Sequence, residues 1–252
     1  MKVTIVGPGA LGCLFAAKFA RGGVQVTLVD HRPDRASRLQ QAGITVDTPD
    51  GPLTAKPTVT TRMPLGTDVI FLLTKTHSIN ALQFCPETPI VVLQNGLTAV
   101  DAVCGLVGSA RVIAGVTSEA STYLDEGHVR YAGSGITSVG SWTSCDAAPA
   151  IEAMQKGGFN VELTDAPGQK IWEKASIGSG INPLTALLNV SNGRLLEMRE
   201  PRQLMRDLVV EATKVAATEG YMFPYSLVEK AEEVCRETSS NISSMLQDIR
   251  AN

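Results

Sequence analysis

The sequence of 252 residues has no excess of positive charge and no long apolar segment. It carries 22 Lys and Arg against 25 Asp and Glu, a formal net charge of −3, and the basic residues form no run. This composition predicts no nucleic-acid partner, because nucleic-acid-binding surfaces carry clustered positive charge. No apolar run approaches the roughly 18 residues of a membrane-spanning helix. The N-terminus lacks the cleavage pattern of a signal peptide, so we expect a cytoplasmic protein without a membrane partner.

The sequence also lacks the clusters that bind metal ions or build disulfide frameworks. The scattered cysteines are Cys13, Cys85, Cys104, Cys145 and Cys235. Their odd number and the absence of a CxxC pair predict reduced, mostly buried thiols. The histidines are His31, His77 and His128. Because they form no cluster in the sequence, we predict no metal site.

The N-terminal segment has the pattern of a dinucleotide-binding unit. An apolar run predicts a strand over residues 2–6, and a second strand is predicted over residues 24–30. The helix between them is expected to end at Gly22 and Gly23. The loop that precedes this helix consists of Gly7, Pro8, Gly9, Ala10, Leu11 and Gly12. A G-x-G-x-x-G spacing between a strand and a helix predicts dinucleotide binding.

Each glycine of this loop meets a physical requirement of a bound dinucleotide. Gly7 permits the tight turn after the strand, and Gly9 lets the backbone approach the pyrophosphate. Gly12 allows the helix to pack closely on the strand. The free N–H groups at the start of the helix favour the phosphate anion. We therefore expect residues 7–12 to bind the cofactor.

The end of the second predicted strand carries signals for both nicotinamide cofactors. An acid at this point accepts a hydrogen bond from the ribose 2′-hydroxyl, so Asp30 favours NAD. Arg32 and Arg35, with a protonated His31, favour the 2′-phosphate of NADP. A solvated loop explains the two arginines equally well, so the sequence leaves the cofactor preference open.

Two further strands end in polar residues where an open α/β sheet binds its ligands. The apolar run over residues 68–74 predicts a central parallel strand that ends at Lys75. Another strand is predicted over residues 89–96, with Asn95 near its end. Ligands of such sheets lie beyond the carboxyl ends of the strands, so Lys75 is a candidate contact. For Asn95, a plain Asn-Gly turn is the alternative.

The rest of the chain divides into a mixed region and a helical region. In the mixed region we predict helices over 35–41 and 147–158, a hairpin insertion over 44–60, a strand over 111–118, antiparallel strands over 122–141 that complete the sheet, and a strand over 159–165. The helical region is predicted as helices over 169–189, 200–220 and 224–251. The fold class is therefore α/β: a Rossmann-type dinucleotide-binding domain over residues 1–167, then an all-helical domain over residues 168–252.

The first helix of the second domain carries an unusual polar face. At 100° per residue, Lys174, Gly178 and Asn182 lie on one side of an otherwise apolar helix. Burial of such groups is costly without a functional reason. A lysine that extends to solvent is the alternative. Pro183 predicts a kink or a restart of the helix.

Six motifs along the chain form a specific combination. They are GPGALG at 7–12, LLTKTHS at 72–78, QNG at 94–96, GITSVG at 135–140, K-x-W-x-K…NPLTAL within 170–189, and NISSMLQDIRA at 241–251. Together they resemble the ketopantoate reductases (2-dehydropantoate 2-reductases) over nearly the whole chain. The resemblance implies NADPH-dependent reduction of a small keto acid, 2-dehydropantoate, to (R)-pantoate, a step toward pantothenate.

The resemblance also implies roles for single residues. Lys174 matches the catalytic lysine, whose ammonium can polarise a carbonyl and then protonate it. The implied substrate-binding residues are Asn95, Asn182, Asn241 and Ser244. Lys75 and Asn95 are implied to line the cofactor cleft. For Asn241 and Ser244, expected on one helix face, a pair of helix N-cap residues is the alternative.

The sequence departs from the family pattern at two places. The family usually has an asparagine four residues after the catalytic lysine, where this chain has Gly178. Members of the family also continue past the 241–251 motif into an E-[IV]-D-Y-I-N-G segment whose glutamate takes part in the active site. The sequence here ends at Asn252, so we expect either a truncated sequence or a chain without that glutamate.

Because of these departures, two other functions remain as alternatives. A related 2-keto-acid or 2-hydroxy-acid dehydrogenase would use the space at Gly178 for a different branched substrate. A non-catalytic NADP-binding protein would bind the dinucleotide without turnover. The sequence does not fix the oligomeric state and is compatible with a homodimer.

Overall fold

The computed structural model describes residues 1–81, 84 and 87–251. The chain divides into two compact units, Met1–Gly168 and Gln169–Asn252. Cys85 lies outside the described residues. The other cysteines have free thiols, buried at Cys13, Cys145 and Cys235 and half-buried at Cys104.

The strands of the first unit form two sheets. In chain order the strands are β1 (Lys2–Val6), β2 (Gln25–Val29), β3 (Ile44–Thr48), β4 (Gly51–Ala55), β5 (Thr58–Thr60), β6 (Val69–Leu72), β7 (Ile90–Val92), β8 (Val112–Thr117), β9 (Ala120–Asp125), β10 (His128–Gly133), β11 (Ile136–Ser141) and β12 (Asn160–Leu163). The larger sheet has the order β12-β11-β8-β7-β6-β1-β2-β5. Within it, β11 and β8 are antiparallel, and the other pairs are parallel.

Strand β1 marks the point where the strand order of the large sheet reverses. Val6 at its end pairs with Val29 of β2 on one side and with Leu72 of β6 on the other. The chain therefore leaves β1 toward one edge of the sheet and later returns to its opposite side. Doubly wound sheets bind ligands at the carboxyl ends of the strands beside such a point. In this chain those ends are followed by the glycine loop and by residues 73–75.

The smaller sheet corrects the prediction for residues 122–141. Its order is β4-β3-β10-β9, so β9 and β10 pair with the hairpin of β3 and β4 instead of completing the large sheet, whereas β5 from the predicted insertion joins the large sheet beside β2. The contact between the two hairpins is a short parallel ladder of β3 and β10, in which Val46 pairs with Val129. Both valines are fully buried. Only β11 from the predicted segment enters the large sheet, and it does so antiparallel to β8.

Aromatic side chains fill the core of the first unit around its first helix. The helices of this unit are α1 (Ala10–Arg21), α2 (Pro33–Ala42), α3 (Ala99–Val107) and α4 (Ala148–Lys156). Phe19 of α1 lies 5.0 Å from Phe71 of β6, measured between ring centroids. Phe15 lies 4.3 Å from Phe159 in the same way. Burial of each such ring contributes about 1.5–3 kcal/mol, which fixes α1 and its N-terminal loop on the sheet.

The second unit is helical, with two departures from the sequence prediction. Its helices are α5 (Pro167–Leu188), α6 (Arg194–Glu197), α7 (Arg199–Thr218), α8 (Leu227–Glu237) and α9 (Ser244–Ala251). Of the kink or restart expected at Pro183, the restart is wrong, because α5 continues through it. The single helix expected over 224–251 is also wrong, since residues 238–243 interrupt it. In the part of the chain that the structure describes, no helix has the length and apolarity to cross a membrane.

Candidate active site

Two glycines of the loop are required by close contacts in the first unit. Gly7 has φ +105°, a conformation that favours glycine. A Cβ atom at Gly7 would also lie 2.9 Å from the backbone nitrogen of Thr74. At Gly12, a Cβ atom would lie 1.9 Å from the carbonyl oxygen of Gly7. These two positions therefore hold the loop against β6 and against the start of α1.

Gly9 differs, because nothing in the protein occupies the place of its missing side chain. Its backbone is extended, with φ −81° and ψ −169°. Among the residues that the structure describes, a Cβ atom at Gly9 would meet no heavy atom within 4 Å. Gly9 is also the N-cap of α1. The space above it is therefore open at a helix N-terminus, where a pyrophosphate would fit.

Unpartnered polar atoms lie beside this loop at the ends of β6 and β7. Thr74 and Gln94 occupy corresponding positions, because Leu72 pairs with Val92 in the parallel ladder. Within the described ranges, the Thr74 hydroxyl and both amide atoms of Gln94 are buried without a hydrogen-bond partner. Such groups each cost about 1–3 kcal/mol when unsatisfied. They are suited to contact a polar ligand at this edge.

The sequence analysis did not select Thr74 or Gln94, although it selected their neighbours. Lys75 follows β6 as predicted, whereas Asn95, expected near the end of a strand over 89–96, lies beyond the end of β7 at Val92; both are exposed. The same positional rule that selected Lys75 and Asn95 also covers Thr74 and Gln94. Their burial without partners is a property of packing, so sequence alone gives no sign of it.

Asp30 follows β2, and its side chain is fully buried in an ion pair with Arg35. Arg35 Nη2 donates to Asp30 Oδ1 at 2.8 Å, and Arg35 Nε donates to Oδ2. The backbone N–H of Arg32 also donates to Oδ1, at 3.2 Å. The bond to Asp30 raises the pKa of the Arg35 guanidinium. Asp30 therefore has much of its acceptor capacity occupied by the protein.

Arg32 extends to a residue from the smaller sheet that the sequence analysis did not select. Its Nη2 donates to Glu126 Oε1 at 3.2 Å, in the turn between β9 and β10. Arg38 of α2 donates to both oxygens of Glu126, at 2.7 and 2.9 Å. Sequence could not reveal this contact, because Arg38 and Glu126 are 88 residues apart.

In the second unit, Lys174 lies in α5 and has a shifted pKa. Burial lowers the pKa of its ammonium group from 10.5 to about 8. Desolvation penalises the charged form, which explains the direction of this change. At pH 7 the group is still mainly protonated, but it gives up its proton far more easily than an exposed lysine.

The helix face of Lys174 continues with Gly178 and Asn182. A Cβ atom at Gly178 would lie 3.2 Å from the Asn182 Nδ2 atom. The glycine therefore leaves room beside the Asn182 amide. One turn further, Thr185 is buried and hydrogen-bonds to the Ser243 hydroxyl at 2.7 Å. This bond holds the start of α9 next to the Asn182 region of α5.

The placement of Asn241 and Ser244 corrects the expectation that they share a helix face. Ser244 is the first residue of α9, whereas Asn241 lies in the interruption before it. Asn241 accepts a bond from the backbone nitrogen of Asn192 at 3.0 Å. The N-cap of α9 is Ser243, whose hydroxyl accepts from the backbone N–H of Leu246 at 3.2 Å. Capping is thus present in this segment, at a neighbouring residue.

Across residues 1–81, 84 and 87–251, no group of three or more His, Cys, Asp and Glu side chains could hold a metal ion. The polar groups described above are instead amides, hydroxyls, arginine–carboxylate pairs and Lys174 with its lowered pKa. Such groups bind anions and transfer protons.

Comparison with known proteins assigns the family. Residues 3–144 match "Ketopantoate reductase PanE/ApbA", and residues 168–252 match its C-terminal domain. This chain belongs to that ketopantoate reductase family. A 2-dehydropantoate 2-reductase of Halobacterium salinarum is 32% identical over 260 residues, which span 99% of this chain and 86% of the relative.

Solved structures agree with the fold of this ketopantoate reductase family member. The ternary structure of D-mandelate dehydrogenase with NADH and anilino(oxo)acetate superposes with a TM-score of 0.91 at 23% identity, over 100% of this chain and 86% of that one. A PanE/ApbA family ketopantoate reductase from Ralstonia eutropha JMP134 gives a TM-score of 0.87 at 25% identity, with the same coverage. The Rossmann-type fold with a helical second region is therefore confirmed.

Proposed function

We propose that this chain reduces 2-dehydropantoate to (R)-pantoate with NADPH, as a step in pantothenate biosynthesis. The observation that carries the proposal is Lys174, whose pKa of about 8 suits proton donation near neutral pH. Membership of the ketopantoate reductase family and the names of several relatives support the choice of substrate. In this proposal the first unit binds the cofactor and the second unit binds the substrate.

The first unit has groups that fit a dinucleotide. The open space above Gly9 and the start of α1 would accept the pyrophosphate. The unpartnered Thr74 hydroxyl and Gln94 amide, with the exposed Lys75 and Asn95, would contact the rest of the cofactor. When bound, the nicotinamide supplies the hydride. The protein contributes position and polarity at this edge.

Lys174 acts as the general acid in this proposal. Its ammonium polarises the 2-keto oxygen of the substrate and donates a proton to it as negative charge develops there. One positioned acid contributes about 10²–10⁴-fold to a rate. Burial of Lys174 favours this proton transfer, because it lowers the pKa of the ammonium group.

Neutral side chains of the second unit bind the substrate in this proposal. The Asn182 amide, on the same helix face as Lys174, orients the substrate without adding charge. Ser244 at the start of α9 and Asn241 just before it bind the carboxylate or the hydroxyl groups. The Thr185–Ser243 bond supports these roles by fixing α9 beside α5.

We propose NADP as the preferred cofactor, with NAD as the alternative. Asp30 is bonded to Arg35 through both of its oxygens, which weakens its suitability as the acceptor of a ribose hydroxyl. Arg32 is exposed at the same strand end, where its guanidinium contacts Glu126. An exposed arginine there suits a 2′-phosphate.

The decisive experiment is a steady-state assay of the purified chain with ketopantoate, run with NADPH and with NADH. We expect turnover with both cofactors and a higher kcat/KM with NADPH. Binding of the dinucleotide without any oxidation of it would instead support a non-catalytic NADP-binding protein. A higher kcat/KM with NADH would reverse the cofactor assignment.

A related 2-keto-acid dehydrogenase is the second candidate, favoured by Gly178. The glycine leaves space beside Asn182 and removes one hydrogen-bonding side chain. A keto acid with a different branched side chain would suit that space better. A panel of ketopantoate, ketoisovalerate and related acids separates the candidates, since the true substrate has the highest kcat/KM.

A further inference from the structure

Glu126 connects the smaller sheet to the end of β2, where Asp30 and Arg32 are the candidates for telling NAD from NADP. It lies in the turn between β9 and β10, and its carboxylate contacts Arg32 at 3.2 Å and Arg38 at 2.7 Å. Arg32 is the N-cap of α2 and Arg38 lies one turn and a half further along that helix. A single carboxylate therefore bridges the side chains of Arg32 and Arg38.

The charged groups around this point balance each other. The cations are Arg32, Arg35 and Arg38, and the anions paired with them are Asp30, Asp34 and Glu126. His31, at 3.6 Å from Asp30, adds charge only when protonated. Without a ligand the cluster is formally neutral at neutral pH. A 2′-phosphate, which carries about two negative charges, would therefore meet arginines that are already paired.

The three carboxylates differ in how easily a ligand could replace them. Asp30 is fully buried and held through both oxygens by Arg35, so it is a fixed part of the fold. Asp34 forms an ion pair with Arg38, at 3.2 Å. Glu126 contacts Arg32 as well, and its side chain is 29% exposed. It is thus the carboxylate that a phosphate must displace to gain Arg32.

We propose that Glu126 tunes cofactor selectivity by competing with the 2′-phosphate of NADP for Arg32 and Arg38. The inference rests on the proposed dinucleotide binding at this edge. The 2′-hydroxyl of NAD carries no charge and makes no such exchange. Glu126 therefore weakens NADPH binding and leaves NADH binding nearly unchanged.

A purely structural role for Glu126 makes a different prediction. If the residue only attaches the smaller sheet to α2, its loss lowers the thermal stability and changes the affinities for both cofactors alike. Competition changes the ratio of the two affinities. The ratio is therefore the decisive measurement, and the melting temperature reports the structural part separately.

The experiment is Glu126→Gln in the full chain, with Kd measured for NADPH and NADH by cofactor fluorescence at low ionic strength. We expect Kd for NADPH to fall about two- to fivefold, the size of one partly exposed ion pair, with Kd for NADH changed less than about 1.5-fold. The gain should shrink as salt is added. Glu152→Gln is the matched control, because it removes an exposed carboxylate that pairs with Lys156 on α4.

A second variant tests whether the effect of Glu126 on NADPH affinity depends on Arg32. In an Arg32→Gln background, Glu126→Gln should change the NADPH affinity by less than it does in the native chain. The proposal is overturned if Glu126→Gln changes the ratio of the Kd values for NADPH and NADH no more than Glu152→Gln does. It is also overturned if Glu126→Gln weakens NADPH binding. Failure of the native chain to bind either dinucleotide overturns the proposed function and this inference together, whereas binding with an unchanged ratio removes the inference alone.

Discussion

The two units use charge in opposite ways. At the end of β2 in the first unit, buried Asp30 and its neighbours are paired with arginines. The bond to Asp30 raises the pKa of Arg35, and the bonds to Arg38 lower the pKa of the Glu126 carboxyl. In α5 of the second unit, burial lowers the pKa of Lys174 to about 8, which favours loss of its charge.

This difference separates binding from proton transfer. A group that recognises a phosphate must stay charged at every physiological pH, and ion pairs stabilise that state. A group that donates a proton must be able to lose it, so its pKa should lie near the working pH. The strongly shifted pKa of Lys174 marks it as a candidate functional residue on physical grounds.

The largest expected effect comes from removing the titratable charge. Lys174→Met keeps the length and apolar stem of the side chain but has no proton to donate. Under the proposed function we expect kcat for ketopantoate reduction to fall about 10²–10⁴-fold, with Kd for NADPH nearly unchanged. Stopped-flow or steady-state assays with separate determination of kcat and KM check this.

Lys214→Met is the matched control for Lys174→Met. Lys214 is an exposed lysine on α7 of the same unit, so the variant removes an equal charge without altering a buried group. Its kcat should stay within about twofold of the native value. A fall of less than tenfold in Lys174→Met would remove Lys174 from the role of general acid.

The pH dependence of turnover tests the same comparison without mutation. With a pKa of about 8, Lys174 is protonated below that pH and neutral above it. We expect kcat for reduction to be level below pH 7 and to fall roughly tenfold per pH unit above 8. The raised pKa values of Arg35 and Arg38 and the lowered pKa of the Glu126 carboxyl favour the charged forms of these groups, so Kd for NADPH should follow no such profile. A kcat that stays level to pH 10 contradicts the assignment.

Local features of both units could be predicted from sequence, and long-range ones could not. The β1–loop–α1–β2 unit follows from residues within one short segment, where Gly7 and Gly12 have steric requirements that spacing reveals. The pairing of β3 with β10 joins residues such as Val46 and Val129, which lie far apart in sequence. Alternation of apolar residues predicts a strand but does not select its partner.

The same reasoning explains the errors in the second unit. Helical periodicity runs on through residues 238–243, but Ser243 caps α9 there and bonds to Thr185 of α5. Tertiary hydrogen bonds of this kind outweigh the weak local preference for helix. At Pro183 the local signal predicted an interruption, but α5 continues. Packing of a long helix tolerates one missing backbone hydrogen bond. For the site, Lys174 was visible as an odd residue, whereas Glu126 required the fold.

A substitution at Gly9 tests whether the cofactor occupies the open space at the start of α1. A Cβ atom there meets no described heavy atom within 4 Å, and the backbone conformation suits alanine. We expect Gly9→Ala to fold with native stability and to raise Kd for NADPH roughly tenfold, because a methyl group would occupy the place of the pyrophosphate. Isothermal titration and thermal unfolding measure the two effects.

Gly105→Ala is the control for Gly9→Ala. Gly105 lies in α3, and within the described part of the chain a Cβ atom there also has no neighbour within 4 Å. Alanine should stabilise this helix by about 0.5–1 kcal/mol and leave cofactor binding unchanged. Equal Kd values for the two variants would show that the space above Gly9 does not receive the cofactor.

The smallest expected effect separates the two arginines at the end of β2. Arg32→Ala removes an exposed side chain that contacts Glu126, so the free energy of unfolding should change by less than about 0.5 kcal/mol. Kd for NADPH should rise about fivefold while Kd for NADH stays constant. Arg35→Ala instead leaves the buried Asp30 carboxylate unpaired and should lower the free energy of unfolding by about 3 kcal/mol. Urea denaturation and cofactor titration of both variants measure these effects. If Arg35→Ala lost NADPH selectivity and Arg32→Ala kept it, Arg35 and not Arg32 would be the residue that selects the cofactor.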